Sequence, residues 1–200
     1  NVRLVASEKL HVGKWGTFVT TPEVSAEKSK IHLEVTIDND NASAKEFRLV
    51  TSIVDSKNIE VANMTSTEKI GAKTSEKKIH NLEVKQPKLW SPENPYLYKV
   101  ITKIYEKSKL VDNYETPLGF RFFNFDSEKG FSLNGVPTKI LGVCLHHDNG
   151  ALGAVENIHA LRRKLTLMKE MGANAIRMSH NPHSLEMMQL CDEMGFIVQD

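Results

Sequence analysis

From Ile31 to Ile37 apolar and polar residues alternate, with Ile31, Leu33, Val35 and Ile37 on one side, the period-two signature of a strand with one buried face. The pattern recurs in Phe47, Leu49, Ile53 and Val54, then in Ile79, Leu82 and Val84, and again in Tyr96, Tyr98, Val100 and Ile104. Polar spacers at 38–41 and 56–58 separate the runs at the short intervals of an antiparallel sandwich. No helix is required before about residue 121, and the many Lys and Thr residues suit solvated faces and edges.

After Phe125 the period changes. Phe131-Ser-Leu-Asn134-Gly135-Val136 contains an Asn-Gly pair, the strongest short-range hairpin signal. Lys139 to Leu145 predicts a nearly continuous apolar strand, and Ile158, Leu161, Leu165 and Met168 follow at helical steps, with Asn157 placed to cap the start and Gly172 the end. Ala173 to Met178 predicts another short strand. Pro182 and Ser184 then open a second helix carrying Met187, Leu190, Cys191 and Met194, which Gly195 closes before an apolar strand at Phe196 to Val198. The tripeptide Glu170-Met171-Gly172 recurs as Glu193-Met194-Gly195, each time between helix and strand. This βαβαβ order forces parallel strands, which belong either to a doubly wound sheet or to a (β/α)8 barrel. A closed barrel takes about 250 residues, so three strands amount to its first part.

Composition narrows the function classes. The chain has 200 residues, 40% of them hydrophobic, enough for packed cores and against general disorder. Its 26 Lys and Arg against 25 Asp and Glu give a formal charge of +1, which supplies no electrostatic attraction to nucleic acid or an anionic membrane. No uninterrupted apolar stretch approaches the roughly 20 residues that cross a bilayer, so a soluble chain is expected. Both cysteines, Cys144 and Cys191, sit in apolar contexts and are expected to be buried thiols. Asn1 is not an initiator Met and Asp200 falls in an apolar run, so an internal piece of a longer protein is expected, with any leader upstream.

Parallel architectures handle ligands at the carboxyl ends of their strands, and there the chain is strongly polar. The first strand ends in His146-His147-Asp148, the second in Arg177-Met-Ser179-His180-Asn181, the third in Gln199-Asp200. The turn after the first strand, Leu145-His-His-Asp-Asn149-Gly150, lacks the GxGxxG of a dinucleotide site. His146, His147, Asp148, His180 and His183 are ligand-capable, but neighbours on extended backbone point to opposite sides and no HxH or HExxH spacing occurs. No metal and no cofactor is therefore assigned. Ser179 stands beside His180 without a GxSxG elbow. Asp148 and Asp200 are carboxylates at strand ends that would face a common cleft, whereas Glu186, Asp192 and Glu193 are expected on solvated helix faces. The residues describe a polar pocket without its reactive pair.

Four stretches, Gly130-Phe-Ser-Leu-Asn-Gly-Val-Pro137, Leu141-Gly-Val-Cys-Leu-His-His147, Met168-Lys-Glu-Met-Gly-Ala-Asn-Ala-Ile-Arg-Met-Ser-His-Asn-Pro182 and Leu190-Cys-Asp-Glu-Met-Gly195, together resemble glycoside hydrolase family 2. Leu89-Trp-Ser-Pro-Glu-Asn-Pro-Tyr-Leu-Tyr98 and Leu118-Gly-Phe-Arg121 look like the end of the sandwich that precedes the family's catalytic barrel. The resemblance implies an immunoglobulin-like antiparallel β-sandwich over 1–121 and, over 122–200, the first three βα elements of a (β/α)8 TIM barrel. The phrase from Cys144 to Gly153 looks most like the family's bacterial β-galactosidases, with β-glucuronidases and β-mannosidases sharing the architecture.

The family hydrolyses β-glycosides with retention, using two glutamates on later barrel strands, so the resemblance places neither catalytic acid nor nucleophile in this chain. It implies instead that His146, Arg177 and His180 line the subsite for the non-reducing sugar, with Arg177 near the nucleophilic carboxylate and Asn181 and Asp148 as weaker candidates. His147 is expected toward the barrel wall, and His183 at the cap of the second helix. The implied partner is a carbohydrate, a β-galactoside first; the sequence does not choose the compartment, a periplasmic or secreted bacterial parent being one option. Trp15 and Trp90 invite sugar stacking, yet Trp90 is expected to pack under the sandwich. Residues 123–200 are expected to self-associate through the open barrel edge. Two rivals stand beside this reading: a carbohydrate-binding module that works through its sandwich, and a metal-dependent hydrolase.

Overall fold

The structure, a computed structural model, describes residues 4–181 and 183–199. The chain forms two compact units: residues up to Pro87 with Tyr98–Phe120, and Lys88–Leu97 with the chain from Arg121 onward.

The first unit is an immunoglobulin-like sandwich of seven antiparallel strands: β1 (Leu10–Val24), β2 (Lys28–Asn39), β3 (Lys45–Val54), β4 (Glu60–Ile70), β5 (Thr74–Lys85), β6 (Tyr98–Glu106) and β7 (Lys109–Leu118). One sheet runs β1-β2-β5 and the other β4-β3-β6-β7. Alternation decides which residues meet between the sheets: Leu33, Val35, Ile37, Leu49, Ile53, Val100 and Ile104 are fully buried. At the rim the backbone N–H of Val12 donates to the Asp112 carboxylate (2.7 Å), and the Thr17 and Thr116 hydroxyls pair at 2.9 Å. These bonds tie edge strand β1 to edge strand β7.

His80, on β5, is buried in the middle of this core. Its Nδ1 meets the Thr51 hydroxyl and its Nε2 the Ser66 hydroxyl, both at 2.8 Å on the opposite sheet. A neutral imidazole satisfies both contacts by donating at one nitrogen and accepting at the other.

The second unit opens with a three-stranded antiparallel ribbon of β8 (Phe123–Asp126), β9 (Gly130–Leu133) and β10 (Val136–Pro137). Asn134 and Gly135 turn the β9–β10 hairpin with φ of 52° and 78°, the doubly left-handed geometry that an Asn-Gly pair tolerates. Three parallel strands follow, β11 (Gly142–Leu145), β12 (Ala175–Met178) and β13 (Ile197–Gln199), linked by α1 (Ile158–Glu170) and α2 (Leu185–Met194). Asn157 caps α1 by accepting the His159 and Ala160 N–H groups, and Ser184 caps α2 by accepting that of Met187. The expected continuous strand from Lys139 is shorter than predicted. The Asn174 side chain brackets residues 139–141, accepting from Leu141 N–H and donating to the Lys139 carbonyl, so ladder pairing starts only at Gly142.

Trp90, expected to pack with the sandwich, belongs to this second unit and is only 2% exposed. Its indole N–H donates to the Asp192 carbonyl at the end of α2 (2.8 Å), and the Arg121 guanidinium lies 4.8 Å from its ring centroid. Lys169, at the end of α1, donates to the carbonyls of Pro92 and Gly195, both at 2.8 Å, and burial pulls its ammonium pKa down. Gly195 ends α2 in the left-handed region, and a Cβ there would lie 2.4 Å from the Pro92 carbonyl oxygen. The segment 88–97 thus seals the helix ends opposite the ligand-handling edge of the sheet.

Gly195→Ala should destabilise the second unit by more than about 2 kcal/mol, because strain and collision add. Gly172→Ala, also left-handed but with nothing within 4 Å of its Cβ, should cost on the order of 1 kcal/mol. Denaturant unfolding of both variants checks the order, and equal losses would contradict the packing against Pro92. For His80, burial lowers the pKa from its usual 6.5, against a smaller opposing effect of Glu68. The unfolded chain therefore binds the proton first, so the stability His80 contributes is complete above about pH 6.5 and falls as the pH drops below it. His80→Gln, which keeps a donor and an acceptor without titrating, should flatten the loss of stability between pH 7 and 5.

Candidate functional site

In the parallel sheet Cys144 pairs with Arg177 and Arg177 with Gln199, so these three side chains lie abreast on one face. Their neighbours Leu145, Ile176 and Met178 point the other way, into the core shared with Leu161, Leu165, Met187, Leu190 and Phe196 of the helical layer. The expectation of two buried thiols fails here: Cys191 is buried on α2, but Cys144 is exposed on the face away from the helices. Its apolar neighbours in sequence belong to the other face. Arg177 is exposed beside it, with Nη1 3.9 Å from the Cys144 sulfur and 3.4 Å from the Ser179 hydroxyl.

Past the strand ends the imidazoles sort themselves into two pairs. His146 and His180, both exposed, meet edge to face with ring centroids 5.5 Å apart, the peptide bond between Ser179 and His180 being cis. His147 and His183 stack at 4.1 Å, on the far side of the extended backbone. Ser179 is buried and anchors the second loop through its N–H to the Leu145 carbonyl (2.9 Å). Asn181 is exposed in that loop. Asp148 is exposed and turned into its own loop, where its carboxylate accepts the Gly150 N–H (3.1 Å) and its carbonyl accepts Lys164. Asp200, expected to share a cleft with Asp148, and Pro182 lie outside the described residues.

His183 does not act as the cap of α2, which is Ser184. It faces Glu156 instead, a residue the sequence pattern does not single out because it stands in an aperiodic loop. Asp192 departs from the solvated position expected of it. It is half-buried, and burial, reinforced by Glu193 and opposed by Arg121, raises its carboxyl pKa. Glu193 is exposed as expected and pairs with Arg162 at 2.7 Å.

The site therefore offers one fixed cation and two imidazoles, each able to donate and to accept, on adjoining strand ends. That set suits a neutral ligand rich in hydroxyls with one anionic group nearby.

Comparison with known proteins identifies the family. The family model "Glycosyl hydrolases family 2" matches residues 11–121, and the model of that family's TIM barrel domain matches residues 126–200. The chain belongs to glycosyl hydrolase family 2. Its parallel strands are thus the start of the family's barrel, and the face bearing Cys144, Arg177 and Gln199 is the lumen side. Over its whole length the chain is 44% identical to the β-galactosidase BoGH2A of Bacteroides ovatus, of which it covers 24%. It is 34% identical over 184 residues to a β-glucuronidase of Formosa agariphila, covering 91% of this chain and 19% of that protein. A solved family 2 structure from Bacteroides cellulosilyticus superposes with a TM-score of 0.93 at 40% identity, covering 97% of this chain and 27% of that one. The Bacteroides uniformis β-glucuronidase superposes at 0.91 with 30% identity, covering 96% and 24%. The chain thus spans about a quarter of the length of these family 2 proteins.

The two thiols of this family 2 chain should differ sharply in reactivity. Burial, with Asp192 adding, pushes the Cys191 thiol up to about 12, so almost none is thiolate at neutral pH. An aromatic disulfide reagent should consume one thiol in the native chain and two after unfolding, and Cys144→Ser should abolish the native reaction. Prompt reaction of both thiols in the folded chain would contradict the burial of Cys191.

Proposed function

We propose that this chain supplies one wall of the subsite holding the terminal, non-reducing sugar in a retaining β-glycosidase, with a β-galactoside as the preferred substrate. The observation that carries the reading is the register of β11 and β12, which sets Arg177 on the face away from the helices, while His146 and His180 meet just past the ends of the same two strands. A guanidinium beside a carboxylate nucleophile keeps it ionised and oriented, and the imidazoles bind sugar hydroxyls as donor or acceptor. Retaining hydrolysis needs two carboxyl groups about 5–5.5 Å apart. Asp148 is engaged by Gly150, and Glu156 by His147 and His183, so both catalytic carboxylates are proposed to come from other strands of the enzyme.

Preference for a galactoside is supported by the higher identity to the relative named a β-galactosidase, 44% against 34% for the β-glucuronidase. The second reading, a β-glucuronide, is supported by the superposition on the Bacteroides uniformis β-glucuronidase.

In the full-length enzyme Arg177→Ala should lower kcat for an aryl β-galactoside by about 10² to 10³, the loss of one charge-assisted contact in the transition state. Steady-state kinetics test this, and near-normal turnover would remove Arg177 from the subsite. Assay of the unmodified enzyme on paired aryl β-galactoside and β-glucuronide decides between the two substrates, and the 200-residue chain alone should turn over neither.

A further inference from the structure

The stacked pair His147 and His183 is not used by the sugar subsite. Glu156 faces both rings, with its Oε1 3.3 Å from His147 Nδ1 and 3.9 Å from His183 Nδ1. One ligand atom from each of the three residues falls within 4.8 Å of the others. The side chains are partly buried, with exposures of 29% for His147, 13% for Glu156 and 3% for His183. Each comes from the start of a loop or helix that the fold already fixes: His147 directly after β11 and His146, Glu156 before the Asn157 cap of α1, and His183 before the Ser184 cap of α2.

The separations favour a shared cation over direct hydrogen bonds. A charge-assisted N–H···O⁻ bond between imidazolium and carboxylate closes to about 2.7–2.9 Å, shorter than either contact here. Ligand atoms each about 2.1 Å from a tetrahedral ion lie about 3.4 Å from one another, between the two observed distances. Moreover, His147 Nε2 is buried without a hydrogen-bond partner, so no competing bond fixes that ring's tautomer.

We propose that His147, Glu156 and His183 bind one zinc-like divalent transition-metal ion, which clips the loop after β11 to the loop after β12. Two imidazoles and one carboxylate match the preference of zinc for nitrogen and oxygen donors in fourfold coordination, water filling the last position. Calcium and magnesium, which take oxygen-rich shells, do not fit this donor set. The ion is structural. Its consequence for the sugar subsite, which rests on the function proposed above, is that His146 and His180 are held by loops fastened through their neighbours.

Calorimetric titration of the chelator-treated 200-residue chain with zinc chloride tests the site without any glycosidase assay. One equivalent should bind, and cobalt(II) in its place should give the intense visible absorption of a four-coordinate ion. Glu156→Gln and His183→Asn should each weaken zinc binding by at least about 100-fold, since even outer-sphere partners of a metal are worth 10- to 100-fold. His159→Ala, on the exposed side of α1, should change nothing. Zinc should also slow amide exchange in both 146–156 and 179–184. The proposal is overturned if the folded wild-type chain binds no stoichiometric zinc, or if binding survives Glu156→Gln and is lost in His180→Asn, which would put the ion on the other histidine pair. Binding with no protection of the two loops would overturn the clip.

Discussion

The parallel register of β11, β12 and β13 is the constraint on which the site depends. Because side chains alternate along a strand, placing Cys144 opposite Arg177 and Arg177 opposite Gln199 commits every other position. Leu145, Ile176 and Met178 are sent to the helices, and the cation is sent to the lumen face. The same alternation, continued one residue past each strand, separates His146 from His147. One imidazole joins His180 and the other joins His183, so two separate histidine pairs fit on one short stretch without sharing a residue.

That register is held by the helices, and the helices are held at their far ends by a segment remote in sequence. Trp90 accepts the guanidinium of Arg121 on its ring and donates to the last turn of α2, while Lys169 bridges Pro92 and Gly195. A desolvated ammonium with two carbonyl partners and a glycine that admits no side chain leave little freedom at this end. The polar, exposed groups are concentrated at the opposite ends of the strands, where binding residues are free to vary without disturbing packing.

Much of this was legible in the sequence, and the illegible parts have identifiable causes. β2, β3, β5 and β6 show in the alternation because each buries one face against the opposite sheet. β1, β4 and β7 do not show, and all three are edge strands, rich in polar positions and, in β1, broken by register shifts after Val12 and Thr20. Both helices, with their Asn157 and Ser184 caps and terminal glycines, were legible from spacing and local hydrogen-bonding chemistry. Cys144 was misread because apolar neighbours say nothing about which face a residue takes, and Trp90 because adjacency in sequence to the sandwich does not decide which core receives an indole. His146, Arg177 and His180 stood out at strand ends. Glu156 did not, since a lone carboxylate in a loop gains meaning only when the fold brings His147 and His183 to it.

The register itself is open to a covalent test. In Arg177→Cys the new thiol would face Cys144 across the ladder, where paired residues lie within the roughly 4.4–6.8 Å between Cα atoms that a disulfide spans. Mild oxidation followed by peptide mapping of the folded 200-residue chain should show a Cys144 cross-link in this variant and none in Ile176→Cys or Met178→Cys, whose thiols point toward the helices. A cross-link from Cys144 to position 176 or 178 in preference to 177 would mean that the strands pair in another register, and that Arg177 does not share a face with the site.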